Sequence, residues 1–280
     1  MTFAPRLRRR KLTNAFMTGL MALCAGLVVA ALLLILGFLA REGLSAINVD
    51  FFTHLPKPVG EPGGGMANAI VGTLILLGFA CLVGAPVGVL GGIFLAEFRD
   101  STLTGWVRFF ADVLSGTPSI VIGMFAYTIV VLPMRSFSAL AGGVALSIIL
   151  LPIVLRTTEE LVRLVPGSLR EGALALGIPQ WRVSLQVVLP AARAGVLTGI
   201  LIATARIAGE TAPLLFTAFG NHFWNRNVMK PMAALPLQIF AYAIAPYDDW
   251  HRQAWAGALV LVSLVLVLNV IARQFARRGM

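Results

Sequence analysis

Six stretches of this chain stay apolar for roughly twenty residues or longer, and that property decides its solvent. In a bilayer the backbone N–H and C=O groups find no water, so each run must close its hydrogen bonds internally as a helix. The runs are Ala15–Ala40, Asn68–Ala96, Val107–Leu132, Phe137–Leu155, Gly195–Phe219 and Ala254–Ala272. The expectation is an all-α membrane protein with six transmembrane helices. A seventh apolar stretch, Met232–Ala245, is shorter and broken by Pro236, which suits an interfacial or re-entrant piece. Composition agrees: 12% of residues are charged, against roughly 25% in a soluble globular domain. Disordered chains, secreted disulfide scaffolds and most soluble folds are excluded.

The formal charge is nevertheless +10. A basic run, Arg6, Arg8, Arg9, Arg10 and Lys11, precedes the first apolar stretch. That stretch far exceeds the ~7–15 residues of a signal-peptide core and no polar cleavage region follows, so it reads as an anchor that stays. With the N-terminus in the cytoplasm, fifteen Lys/Arg fall inside, six fall outside, and Arg206 lies within a span. This satisfies the positive-inside rule, which counts Lys and Arg, and predicts that both termini are cytoplasmic. The chain then divides into a basic N-terminus (1–14), a first helix (15–40), a periplasmic loop (41–67), a main transmembrane domain (68–272) and a basic C-terminus (273–280). The periplasmic loop carries the only low-complexity stretch, Pro56–Gly65, and the main domain encloses a cytoplasmic loop at 156–194. Most of the basic excess is thus a topology signal rather than a sign of nucleic acid.

Enzymatic chemistry finds no foothold. Cys24 and Cys81 fall in different spans without metal spacing, and His54, His222 and His251 are scattered through outside loops. No nucleophile–base pair or metal cluster is suggested. A phosphate-binding P-loop needs Gly-Lys-Ser/Thr, yet the lysines are Lys11, Lys57 and Lys230, and none follows a glycine. The chain is expected to carry no cofactor and no ATP site of its own.

The loop at 156–194 is ordered in its chemistry. Ser168-Leu169-Arg170-Glu171 has the form of a capping box. Gly177 supplies a left-handed stop, and Pro179 starts a second helix. Leu169, Ala173 and Leu176 share one face of the first helix, and Trp181, Leu185 and Val188 share one face of the second. The spacing is compatible with a packed connector or with a docking knob for a cytoplasmic partner.

Charges inside the membrane are the more pointed signal. Arg206 and Glu210 lie within the fifth span, with Arg206 about halfway through a ~30 Å hydrocarbon core. Each such charge costs roughly 2.5–3.5 kcal/mol on insertion scales. Their i,i+4 spacing allows mutual neutralisation on one helix face, but intramembrane charges are functional candidates by default. Gly209 and Pro213 flank the pair and can loosen the helix toward a water-filled cavity. Arg156 ends the fourth span and either snorkels or joins the route. Ser115, Thr117 and Ser119 interrupt the third span around Pro118, as a tolerated kink or as a polar lining; Asp112 precedes them by one turn. An arginine fork with hydroxyl donors suits a small oxyanion, and the physics goes no further than an anion.

Several runs carry a family resemblance. Glu171-Gly172-Ala173-x₃-Gly177, followed by Val187-x-Leu189-Pro190, resembles the E-A-A-x₃-G-x₉-I-x-L-P motif of ABC-importer permeases, with Gly172 and Val187 departing from it. Gly116–Gly123, Leu155–Glu159, Leu164–Glu171, Ala205–Thr217 and Ala254–Ala258 resemble the phosphate permeases of that family across nearly the whole chain. The resemblance implies the MetI-like permease fold of type-I importers and a multi-pass place in the bacterial inner membrane. It implies phosphate import by alternating access, with Arg156 and Arg206 as path arginines and Glu210 and Thr211 beside the latter. Ser168, Glu171, Gly172, Ala173, Gly177, Leu189 and Pro190 become a coupling loop for an ATPase. The implied partners are a second, related permease subunit, two ATPase subunits that bind ATP and magnesium, and a periplasmic phosphate-binding protein received at segments such as Phe223–Ala245. The alternatives are a permease for sulfate or molybdate and, from another class, a stand-alone secondary anion transporter or channel.

Overall fold

The structure is a computed structural model and describes residues 4–58, 61 and 63–278. Part of the Pro56–Gly65 stretch and the extreme ends of both basic termini therefore lie outside the described residues. Five helices are long and apolar enough to cross a membrane: Arg9–Ala46, Ala67–Glu97, Ala139–Arg163, Gln180–Ile207 and Asp248–Phe275. Thr102–Gly116 and Ser119–Met134 meet at a 106° bend and together form the candidate for a sixth crossing, as one broken span. The six expected runs thus each find a helix or a broken helix.

The chain order is α1 (Ala4–Gly43), the short α2 (Val49–Thr53), α3 (Ala67–Glu97), α4 (Thr102–Gly116) and α5 (Ser119–Ala126). A π-helical turn at Tyr127–Val131 leads into α6 (Leu132–Met134), and α7 (Ala139–Arg163) follows. Next come α8 (Gly167–Ala175), α9 (Gln180–Val183), a second π turn at Ser184–Val188 and α10 (Leu189–Ile207). The remainder is α11 (Ala212–Leu215), α12 (Leu235–Ala243) and α13 (Asp248–Arg278).

At the centre α3 lies against α7, because glycines let the two backbones close. A Cβ on Gly88 would stand 2.9 Å from Cβ of Val154, and one on Gly92 would stand 2.6 Å from the Leu155 carbonyl oxygen. With Gly84 these residues form the small-xxx-small stripe by which membrane helices associate without a hydrophobic drive. The core continues outward through Leu76, Leu146, Leu150, Ile207 and Leu214. α10 joins α7 where a Cβ on Gly199 would lie 2.5 Å from Cγ2 of Thr157. α13 follows, with the Thr198 hydroxyl donating to the Ala272 carbonyl at 3.2 Å. α1 is almost unburied; it meets the body near its C-terminal end, where Phe38 and Trp255 pack edge to face at 5.1 Å.

Both π turns run into the same tetrapeptide, Val130-Val131-Leu132-Pro133 and Val187-Val188-Leu189-Pro190, and end on its second valine. Proline lacks an N–H and its ring crowds the carbonyl four residues back. Widening the preceding turn relieves both, and the Leu132 and Leu189 N–H groups reach back five residues to Tyr127 and Ser184. Proline alone does not impose this, since Pro86 and Pro152 sit in regular helix.

Two spans differ from the sequence reading. The third was expected as one helix with a kink at most. Thr117 and Pro118 are extended, with ψ of 130° and 135°, as the proline demands of the residue before it, and the helix turns through 106°. The fifth was expected to run to Phe219. It starts earlier, at Gln180, and stops at Ile207, because Gly209, Glu210 and Thr211 leave the helix and Pro213 begins the separate turn α11. The seventh apolar stretch forms α12, which is nine residues long, too short to cross, and buried on α3 and α13.

Candidate functional site

Three places described by the sequence reading take shape: the two breaks, the charged end of α7, and the loop between α7 and α9.

The breaks face each other. A Cβ on Gly123 would stand 2.6 Å from Cα of Pro213, so α5, just beyond the first break, is seated on α11, just beyond the second. Ser115 is exposed, while Thr117 and Ser119 are half-buried. The Thr117 hydroxyl donates back to the Val113 carbonyl at 2.7 Å, closing one backbone group that the break frees. At the second break Arg206 is exposed, and Glu210 and Thr211 are half-buried. Among the described residues Arg206 and Glu210 make no ion pair. The i,i+4 neutralisation that the spacing allows does not occur, since Arg206 is in the last turn of α10 and Glu210 lies beyond it, its N–H bonded to Ile207.

Depth follows from the Gly199–Thr157 contact. Thr157 is six residues from the end of α7 and Arg206 seven beyond Gly199. At ~1.5 Å per residue Arg206 sits roughly 20 Å above the Arg163 end, the middle of a ~37 Å helix. Arg156 lies about 10 Å lower on the same scale. An arginine at that depth, turned out of its own chain, cannot face hydrocarbon cheaply.

Arg156 does not simply snorkel. Its Nη2 donates to both Asp112 oxygens at 2.5 Å and its Nε to Asp112 Oδ1 at 3.1 Å. Its Nη1 donates to Glu159 Oε2 at 3.1 Å. Glu159, only 2% exposed, is the hub. Its Oε1 accepts from Arg108 Nε at 2.8 Å and from Arg163 Nη2 at 2.5 Å. Arg108 also donates to the Leu95 carbonyl at 3.2 Å, which ties α3, α4 and α7 together. The sequence reading missed Arg108, Glu159 and Arg163 as a group. The signal was the spacing of Arg156, Glu159 and Arg163, which falls on one face once the helix is carried past Leu155.

The loop is a helix–turn–helix, as expected, but shorter than 156–194: α7 runs on to Arg163 and the next helix begins at Gln180. Its turn is a Schellman motif. Gly177 has φ +77°, its N–H bonds Leu174 at 2.9 Å, and the Ile178 N–H reaches Ala173 at 3.4 Å. The capping box does not form. The helix starts two residues earlier, with Pro166 at the cap, so Ser168 lies inside it with no capping bond. The expected inner faces also shift: Ala173 and Val188 are buried with Val183, while Leu169, Leu176, Trp181 and Leu185 are exposed. Glu171 and Gly172 are exposed, Leu189 is half-buried and Pro190 exposed. An unforeseen residue, Arg170, fastens α8 to the bundle. It donates to Glu97 at 2.9 Å and to the Val165 and Val162 carbonyls at 2.7 Å each.

A helical bundle with five to six candidate crossings, a helical loop at one end and an arginine at mid-depth that makes no ion pair among the described residues has the form of a transport subunit, and known proteins agree. Residues 88–279 match the family described as binding-protein-dependent transport system inner membrane component. A protein of Yersinia pestis named phosphate transport system permease protein PstA is 46% identical over 97% of this chain and 92% of its own length. Proteins of that name from Xylella fastidiosa and Haemophilus influenzae are 47% and 44% identical over 97% and 95% of this chain, covering 95% and 94% of their own lengths. The chain belongs to the inner membrane component family of binding-protein-dependent transport systems and, within it, to the PstA permeases. Among solved structures, an inward-facing MetNI methionine ABC transporter shares the fold with a TM-score of 0.60 at 18% identity, covering 77% of this chain and 97% of its own.

Proposed function

We propose that this chain is the permease subunit of an ATP-driven inorganic phosphate importer in the bacterial inner membrane. The observation that carries the reading is Arg206: exposed at mid-depth and just before a break in its span that also holds Glu210 and Thr211, with the turn beyond that break seated, through Pro213, on Gly123 of the other broken span. Such a charge needs a water-filled gap or a second chain. An arginine always charged and rich in donors offsets the desolvation of a phosphate without a change of protonation. The name carried by relatives nearly half identical along almost the full length supports phosphate over sulfate or molybdate.

In this reading both termini and the loop between α7 and α9 are cytoplasmic. The exposed Leu169, Leu176, Trp181 and Leu185 dock on an ATPase, which binds ATP and magnesium. A related, PstC-like permease subunit closes the gap, two PstB-like ATPase subunits drive it, and a PstS-like binding protein delivers phosphate at the opposite side. Phosphate passes Arg206 and then Arg156, and no covalent chemistry occurs on this chain.

The test is uptake of radiolabelled phosphate into vesicles holding the assembled complex. Uptake that requires ATP, is not competed by sulfate or molybdate, and is largely lost in Arg206→Gln is the expected result. Full activity and selectivity in Arg206→Gln would remove Arg206 from the route. Gradient-driven uptake without an ATPase would favour a secondary transporter.

A further inference from the structure

Five charged side chains meet at the lower end of α7, and the two acids among them are not equivalent. Glu159 is 2% exposed, belongs to α7 itself, and has both oxygens engaged by Arg108, Arg156 and Arg163. Asp112 is 61% exposed, belongs to α4, and among the described residues pairs with Arg156 alone, which takes both of its oxygens. α4 ends at the 106° break, so Asp112 rides on the separately oriented half of a broken span. Three arginines against two carboxylates leave the cluster at +1; with Asp112 withdrawn it stands at +2.

A carboxylate offering two oxygens to a guanidinium presents the same pair of acceptors as one edge of a tetrahedral oxyanion. We propose that Asp112 is an internal counter-ion for Arg156, occupying the arginine when no oxyanion is there and displaced when one arrives. This rests on the reading of the chain as an oxyanion permease. Glu159 is buried and triply paired, so it fixes the guanidinium in place. Asp112 is the anion free to leave. Its return to Arg156 drives the oxyanion off toward the ATPase side and guards the arginine against re-entry from there. Asp112 is therefore a positioning and release residue, and its effect must run through Arg156.

Vesicles holding the assembled complex are loaded inside, on the ATPase side, with graded phosphate, and the initial rate of ATP-driven phosphate uptake is measured. In Asp112→Asn the internal phosphate that halves uptake should fall about tenfold or more, the effect of losing one charge-assisted competitor for the same donor. Asp112→Glu should behave as the unaltered chain, and Asp112→Asn should add nothing in an Arg156→Gln background. If Asp112 were only a strut between α4 and α7, Asp112→Asn would lower the maximal rate and leave the half-inhibiting concentration unchanged, which overturns the proposal. Where Asp112→Asn fails to assemble, carbodiimide labelling of Asp112 in the unaltered complex decides. Labelling should rise with added phosphate and not with chloride at equal ionic strength; equal labelling overturns the proposal. Absence of ATP-driven phosphate uptake by the unaltered complex would instead refute the permease reading on which it rests.

Discussion

Replacing Glu159 with glutamine isolates the electrostatic hub without changing its size. The carboxylate is 2% exposed and accepts from three guanidiniums, while the amide keeps one acceptor and turns an NH2 toward an arginine. Removing one partner of a buried ion pair costs about 3–5 kcal/mol. Here the arginines are 29%, 33% and 37% exposed and regain water on release, so the expected loss is discounted to roughly 2–4 kcal/mol. At about 2–4 °C per kcal/mol for a chain of this size, the melting temperature should fall by roughly 5–15 °C. The assay is thermal unfolding of the detergent-purified complex followed by tryptophan fluorescence. Combining Glu159→Gln with Arg108→Gln should cost less than the sum of the two, because each single change strands the other's charge. A fall under about 2 °C, or strict additivity, would refute the hub.

Three further outcomes follow from particular contacts. Gly92→Val should separate α3 from α7, because a side chain there meets the Leu155 carbonyl oxygen and the Thr158 Cβ at 2.6 Å; the overpacking costs about 1–3 kcal/mol or more, read as a lowered melting temperature. Gly172→Ala has open space around it and should leave uptake intact while stabilising α8 by up to about 1 kcal/mol; impaired uptake would show that the glycine serves the docked partner. Arg170→Ala should free α8 from Glu97, itself 7% exposed, from the Val162 carbonyl of α7 and from the Val165 carbonyl just beyond it, detected as faster proteolysis around Gly177 with α3 and α7 still protected.

The spans were legible because length and apolarity are properties of each run by itself. The end of α7 was not, since Arg156, Glu159 and Arg163 look like loop residues until Arg108, 51 positions from Glu159, is brought to them. The stop at Ile207 was half-legible: Gly209 and Pro213 signalled a loosened helix, but apolar residues through Phe219 argued for its continuation. Of the residues proposed to line the pathway, their types and their placement at breaks could be read from the sequence. That Ser119 and Thr211 belong to turns seated on each other through Gly123 and Pro213 depends on packing between distant segments. The loop between α7 and α9 was read correctly at Gly177, where a positive φ needs glycine. It was misread at Ser168, where Pro166 takes the cap first.

The central claim is that the break after α10 opens onto an aqueous gap through which phosphate passes Arg206. Thr211→Cys, in a chain with Cys24 and Cys81 replaced by serine, tests it most directly by reaction with a membrane-impermeant, water-soluble thiol reagent in the assembled complex. The account predicts labelling from the aqueous phase that slows when phosphate is present and not when chloride replaces it. A thiol at 211 that stays unlabelled, or that labels equally with and without phosphate, would contradict it.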